Sequence, residues 1–336
     1  MKTKIALIAL VALATAPLTA HADDPIVLKY AMIAGPQSPN YAKFYGPWLE
    51  AINKDGDGAI EVKPFFGGAL ANFVNMYDRL TSNVIEMGTG LQGMIGGQFP
   101  GTSVADLPVV SEKSRDSAAA LWALYEQGLI AEEYSKVKPM LLFVYPQISL
   151  HFRKPVKTLD ELKGLKMSVS DKVASETMSR LGVAPVTMGP EEIYGALGRG
   201  VIDGAAIQWT GILPFKLQEV TNYHVKTRLG SSSGYTLMSK QAYEKLPAKG
   251  RAAIDKHAGY KASRDFGAVL DEIADEAYAL VSKQPGHTMA TFFAPDETTM
   301  YGRVQPVLAE WVKRTPNGEK ILAAFKAEVE KSVAMK

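Results

Sequence analysis

Gly88, Gly90 and Gly93 form a G-x-G-x-x-G pattern at the end of the apolar run VIEMGTGL. Between a strand and a helix, such glycines let backbone N–H groups approach a pyrophosphate. Asp106 stands roughly where an acid would take a ribose hydroxyl, ~20 residues on. Three features weigh against a nucleotide. The run reads as a third strand, MIGGQFPG after it is a poor helix, and a diffusible nicotinamide is out of place in an exported protein, which the apolar leader at residues 1–22 implies. A glycine-rich loop lining a cleft fits better, and a periplasmic enzyme using Gly88–Gly93 is the rival. Other chemistry finds little support. His151, His224, His257 and His287 are far apart in sequence and form no H-E-x-x-H. A calcium site of carboxylates and carbonyls stays open. There is no cysteine, hence no thiol nucleophile. There is no G-x-S-x-G elbow, and SSSG at 231–234 has no histidine at useful spacing. No catalytic residue, metal or cofactor is expected.

Binding remains. Tyr30, Gln92, Tyr145, Gln147, Ser149, Ser168, Trp209 and Tyr235 fall at predicted strand ends, with Gln208 adjoining Trp209 and Phe73 near the start of the segment ANFVNMYDRLTSN. Ligands of open α/β sheets lodge beyond the carboxyl ends of strands and between domains. In an extended strand Tyr145, Gln147 and Ser149 would share one face. Polar members would orient a solute, and aromatic ones would exclude water.

The elements that must hold these residues follow an alternating pattern. Ile26–Gly35, AIEVKPFFGGAL and VIEMGTGL read as strands, with NYAKFYGPWLEAINK and ANFVNMYDRLTSN as helices between them. This is the signature of a parallel sheet covered by helices. It recurs after KPMLLFVYPQISLHF, which reads as one long strand. TLDELKG reads as a capped helix, with Thr158 and Glu161 as a capping box, and LKMSV as the strand it feeds. The fold class is therefore α/β with two units joined near Tyr145. A helical stretch from about Ala252 to Lys283 is long enough to cross both. The division drawn is 23–146 with about 233–272, and 147–232 with about 273–336.

MKTK followed by IALIALVALA and AHA reads as a cleaved secretory leader, residues 1–22. Its apolar core is shorter than the ~20 residues that span a bilayer. A net charge of +2 over 336 residues argues against nucleic acid as a partner. An exported chain of this size needs no disulfides, so a soluble periplasmic protein, a monomer, is expected.

LDELKGLKMSVS, EEIYGALGRGVIDGAAIQ, LQEVTNYH and QAYEKLP resemble the DctP-type solute receptors of TRAP transporters, and the similarity runs through the whole mature chain. The resemblance implies a two-lobed periplasmic binding protein fold with a long helix spanning both lobes. It implies a non-enzymatic receptor that closes on a small-molecule solute and delivers it to small and large membrane permease subunits. It also exposes a departure. Where the family normally carries an arginine that clamps the solute carboxylate, this chain has Ser168. Ile33 and Ile207 stand where asparagine is frequent, and a second arginine of some members falls near Ile148 or Ser149. Arg153 or Lys216 could supply the missing cation. Backbone N–H groups, hydroxyls or a bound cation could hold a carboxylate instead. Otherwise the solute is not an anion but a small amine, amino alcohol or neutral polar compound. It would lie against Tyr30, Tyr145 and Trp209, with Glu86 as a partner for an amine. A structural or signalling partner protein of the same fold is a third class.

Overall fold

The computed structural model describes residues 24–292 and 294–335. The leader at 1–22 lies outside the described residues. The strands are β1 (Ile26–Ala31), β2 (Ile60–Phe65), β3 (Met87–Leu91) and β4 (Val137–Val144), then β5 (Ser149–Phe152), β6 (Lys166–Val169), β7 (Ala184–Thr187) and β8 (Gly204–Ile207). Three more follow: β9 (Tyr223–Val225), β10 (Ser233–Ser239) and β11 (Thr288–Ala290). They form two sheets, in the orders β2-β1-β3-β10-β4 and β11-β9-β5-β8-β6-β7. Each parallel core accepts an antiparallel strand where the chain crosses between lobes. Thus β10 pairs antiparallel with β3 and β4, and β5 pairs antiparallel with β8 and β9.

Between them lie α1 (Gly46–Gly56), α2 (Met76–Thr81), α3 (Ser114–Glu126), α4 (Lys172–Arg180), α5 (Pro190–Gly198) and α6 (Trp209–Ile212). Helices α7 (Lys240–Glu244), α8 (Ala248–Lys256), α9 (Tyr260–Val281), α10 (Ala294–Val304), α11 (Pro306–Arg314) and α12 (Gly318–Ala334) complete the chain. Among these, α9 ties the lobes together. Its 22 residues extend ~33 Å at ~1.5 Å each. Phe266 and Leu270 enter the core of the first lobe, whereas Ala274, Ala277 and Val281 enter that of the second.

Several boundaries differ from the sequence reading, each for a local reason. The long strand 138–152 is two strands in two sheets. The chain leaves β4 at Tyr145–Pro146, and the crossing runs beside a second one, with Tyr145 N donating to Ser232 O (2.9 Å) and Ile148 N to Gly230 O (2.8 Å). Consequently Tyr145, Gln147 and Ser149 do not share a strand face. The spine is shorter than 252–283, because Gly259, at φ +109°, separates α8 from α9. TLDELKG forms only a short 3-10 turn, Asp160–Leu162. There Glu161 accepts from Lys157 N rather than closing a capping box with Thr158. The division assigns 273–336 to the second lobe, yet α12 packs along α3, and Trp311, Ile321 and Phe325 join the first lobe's core.

Candidate functional site

The lobes enclose a chamber of about 80 Å³, below the ~300–1,000 Å³ of drug-sized sites, so it suits a compact guest. The first lobe contributes the turn after β1 (Ala34, Ser38, Asn40), Phe73, and Leu91 at the end of β3. The crossing segments contribute Tyr145 and Ser232. The second lobe supplies the larger wall: the ends of β6 and β8, Met188, Pro190 and Ile193 around the start of α5, and Thr210 to Phe215 in and after α6. None of these lining residues is charged.

Ser168 lies on β6 between Val186 of β7 and Ala205 of β8. It is buried, and its hydroxyl has no partner in the protein. A buried hydroxyl left unpaired costs ~1–3 kcal/mol, so this oxygen is available to a guest. Gln208 follows β8 and donates its amide N–H to Ser232 Oγ at 2.8 Å, tying the second lobe to the crossing. Ser170 and Ser232 form a second hydrogen bond to the same crossing, also 2.8 Å. Tyr145 stands edge-on to Phe143, with centroids 5.5 Å apart, and burial raises its phenol above the usual range.

Of the ten residues singled out from sequence, Phe73, Tyr145, Ser168 and Gln208 come together here. The other six lie elsewhere. Tyr30 is in the first lobe's core, its hydroxyl bonded to Thr89, which bonds Thr236 at 2.8 Å. Tyr235 is buried against Gly90. Gln92 donates to Tyr134 Oη and Gly234 O, both at 3.2 Å. Gln147 donates to Ser111 O and Ser231 Oγ at the crossing. Ser149 pairs with Ile207 inside the second sheet. Trp209 sits behind the chamber, edge-on to His151 at 4.9 Å and to Tyr278 at 5.1 Å. The candidate cations are also absent: Arg153 and Lys216 are exposed and do not line the chamber. Glu86 is engaged by Lys29, whose backbone N–H donates to it at 2.8 Å. The apolar wall of Met188, Ile193, Ile207, Pro214 and Phe215 is what sequence reasoning missed. Only Ile207, noted for replacing a polar residue, carried a signal.

The glycine pattern has a packing explanation. A Cβ on Gly88 would meet Met76 Sδ at 2.5 Å, one on Gly90 would enter the Tyr235 ring, and one on Gly93 would enter Asp171. The segment after β3 is a 3-10 turn, Gln92–Met94, with no helix start to face a pyrophosphate.

The histidines scattered in sequence form a line in space. His151 Nδ1 lies 2.8 Å from His224 Nδ1, and His224 Nε2 lies 3.0 Å from His287 Nδ1. His151 Nε2 is 3.1 Å from Ile207 O, so it carries the proton and donates. The order of donors then follows: His287 donates to His224, and His224 to His151. Burial lowers all three, His224 to about 4, which keeps the line neutral. No metal-holding group of acidic, cysteine or histidine side chains occurs among the described residues.

Residues 30–315 match the family described as bacterial extracellular solute-binding protein, family 7, the DctP family. The chain belongs to this family. It is 24% identical over 330 residues to the outer membrane transporter protein TsaT of Comamonas testosteroni, covering 94% of this chain and 95% of TsaT. It is 25% identical over 328 residues to the C4-dicarboxylate-binding periplasmic protein DctP of Rhodobacter capsulatus, covering 96% of each. Among solved structures, a marine metagenome TRAP solute-binding protein specific for aromatic acid ligands, holding 3-hydroxybenzoate, has a TM-score of 0.87 at 24% identity. That match covers 92% of this chain and 99% of the other. A TRAP solute-binding protein of Rhodoferax ferrireducens with copurified benzoate gives the same values. Both show the two-lobed fold. The DctP family is one of periplasmic receptors rather than enzymes. Its members bind small organic solutes and deliver them to TRAP membrane permeases, and that is the role of this chain. No described helix is long and apolar enough to cross a membrane.

Proposed function

We propose that this DctP-family receptor takes a compact, uncharged solute with an apolar, preferably aromatic, body and one hydrogen-bonding head. The observation that carries the reading is the chamber wall, which has no charged side chain and presents the unpartnered hydroxyl of Ser168. A carboxylate or an ammonium enclosed here would give up its water with no counter-charge, a cost of several kcal/mol. A neutral head can exchange hydrogen bonds with Ser168 and Gln208 while its body lies against Phe73, Ile207 and Phe215. The closed form is reached by rotation about the two crossings and α9, with 318–334 moving with the first lobe. The mature chain works in the periplasm as a monomer and releases the solute unaltered.

A second reading, an aromatic acid, draws on the two similar structures that hold 3-hydroxybenzoate and benzoate. One thermal-shift plate separates the readings: benzamide and benzyl alcohol as neutral probes, benzoate as acid, benzylamine as amine. The neutral probes should raise the melting temperature, since ligand at 100 times its Kd adds ~2.7 kcal/mol. Benzoate stabilising more than benzamide overturns the uncharged reading and leaves the receptor role intact.

A further inference from the structure

Beside the chamber a second cavity of about 340 Å³ runs along the seam between lobes. Gln92, Gly93 and Asp106 of the first lobe and Asp171, Lys172 and Arg314 are among its walls. Asp106 ends the 3-10 turn 102–106, is 2% exposed, and accepts from Ser233 N at 2.6 Å. Asp171 is 5% exposed and caps α4, accepting from Ala174 N at 2.8 Å and from Ser170 Oγ at 2.7 Å. Its Cβ sits directly over Gly93, which has no room for a side chain. Two buried carboxylates from opposite lobes therefore line one cavity.

Charges on the neighbouring elements do not resolve this. Arg314 pairs with Glu176 at 2.6 Å. Glu133 is held by Gly101 N and Thr102, and Tyr134 is bonded to Thr102 and Gln92. Lys172 lines the cavity, yet no ion pair reaches either aspartate among the described residues. A bare metal ion would meet Lys172 and Arg314 across the same space. A proton needs only an acceptor, and one is present: Gln92 Oε1, buried, lining the cavity and without a partner.

We infer that the closed cleft contains a second binding site, for a proton held between Asp106 and Asp171, so that lobe closure and proton uptake are one event. Burial pushes both above the ordinary carboxylate range, and the charge of Asp171 raises Asp106 further; a buried carboxylate resists ionising beside a like charge. Opening exposes the cavity to water and returns both toward the ordinary carboxylate range. Closure therefore binds a proton at neutral pH and is favoured as pH falls. This inference does not depend on what the solute is.

The test needs no solute. The chain lacks cysteine, so spin labels at Glu50→Cys on α1 and Arg199→Cys after α5, both exposed, report the distance between lobes by pulsed EPR. Between pH 8 and 5 the ratio of closed to open molecules should rise by up to about tenfold per pH unit, the slope of one proton. Asp106→Asn, which can still accept from Ser233, and Asp171→Asn, which can still cap α4, should each flatten the response. A wild-type distance that ignores pH overturns the inference. So does an unchanged profile in both variants, or a distance that follows added sodium or calcium at fixed pH.

Discussion

The chamber and the seam lie side by side in one cleft and treat charge in opposite ways. The chamber has no charged side chain and leaves a neutral hydroxyl unpaired. The seam buries two carboxylates in one cavity, with no cation bonded to either among the described residues. The first arrangement chooses which guest is tolerated, because an enclosed charge without a partner is costly. The second sets how readily the jaws shut, because its cost exists only in the closed form. Selectivity and closure are therefore carried by different residues of the same cavity system, and they can be broken separately.

The largest effect should come from the seam. Gly93→Ala would place a Cβ inside Asp171 and hold the lobes apart. If the closed fraction falls to about 1%, apparent solute affinity falls about 100-fold. The melting temperature of the unliganded protein should change little, since each lobe keeps its own core. A variant that melts early would place Gly93 in the structural core instead. Ser168→Arg acts on the other region. It installs the cation that the resemblance implies at this position. Benzamide binding should be lost, and benzoate binding should strengthen about 10- to 150-fold, the worth of a charge-assisted bond of ~1.5–3 kcal/mol. Calorimetric titration of both probes against both proteins reads the exchange directly.

The histidine line behind Trp209 sharpens the contrast, because its response to acid has the opposite sign. His224 is lowered from the ordinary histidine value to about 4, and His151 and His287 are lowered too. The unfolded chain thus binds protons before the folded one does. Stability is fully present above ~6.5 and is lost as pH falls, by ~1.4 kcal/mol per pH unit for each proton. Acid should therefore close the cleft while lowering the melting temperature. His224→Gln should flatten the melting profile between pH 6.5 and 4 without altering the seam's response. If closure and stability moved together in that variant, the two regions would be coupled rather than independent.

The sequence carried the fold further than it carried the site, for identifiable reasons. Strand and helix periodicity reports which face is buried, and it placed most of the elements of both lobes. It could not report that Tyr145–Ile148 is a crossing, because an apolar run through a hinge looks like a continuous strand. Antiparallel insertion of β5 and β10 is likewise set by the crossings and not by local pattern. Ser168 stood out because a charge was missing from a familiar place. The wall of Met188, Ile193 and Phe215 did not, since an apolar residue facing a chamber reads like one facing a core. Tyr30, Tyr235 and Trp209 show the converse error: aromatic residues near strand ends that fill the lobes instead of the space between them. His151, His224 and His287 are separated by 73 and 63 positions, so only the second sheet brings them into line.

The smallest effect is the most specific. Ser168→Ala removes one hydroxyl that bonds to nothing in the protein, so the unliganded fold should lose little and could gain, since an unsatisfied buried oxygen is removed. A neutral probe whose head bonds to that hydroxyl should lose ~0.5–1.5 kcal/mol, about two- to twelvefold in affinity. A structural role for Ser168 predicts the reverse order, with the melting temperature falling and affinity following it. The two readings therefore separate on one variant: affinity lost at constant or higher stability assigns the hydroxyl to the guest, and stability lost with affinity assigns it to β6. Because the seam is untouched, the pH response of lobe closure should remain that of the wild type, which ties any loss of affinity to the chamber alone.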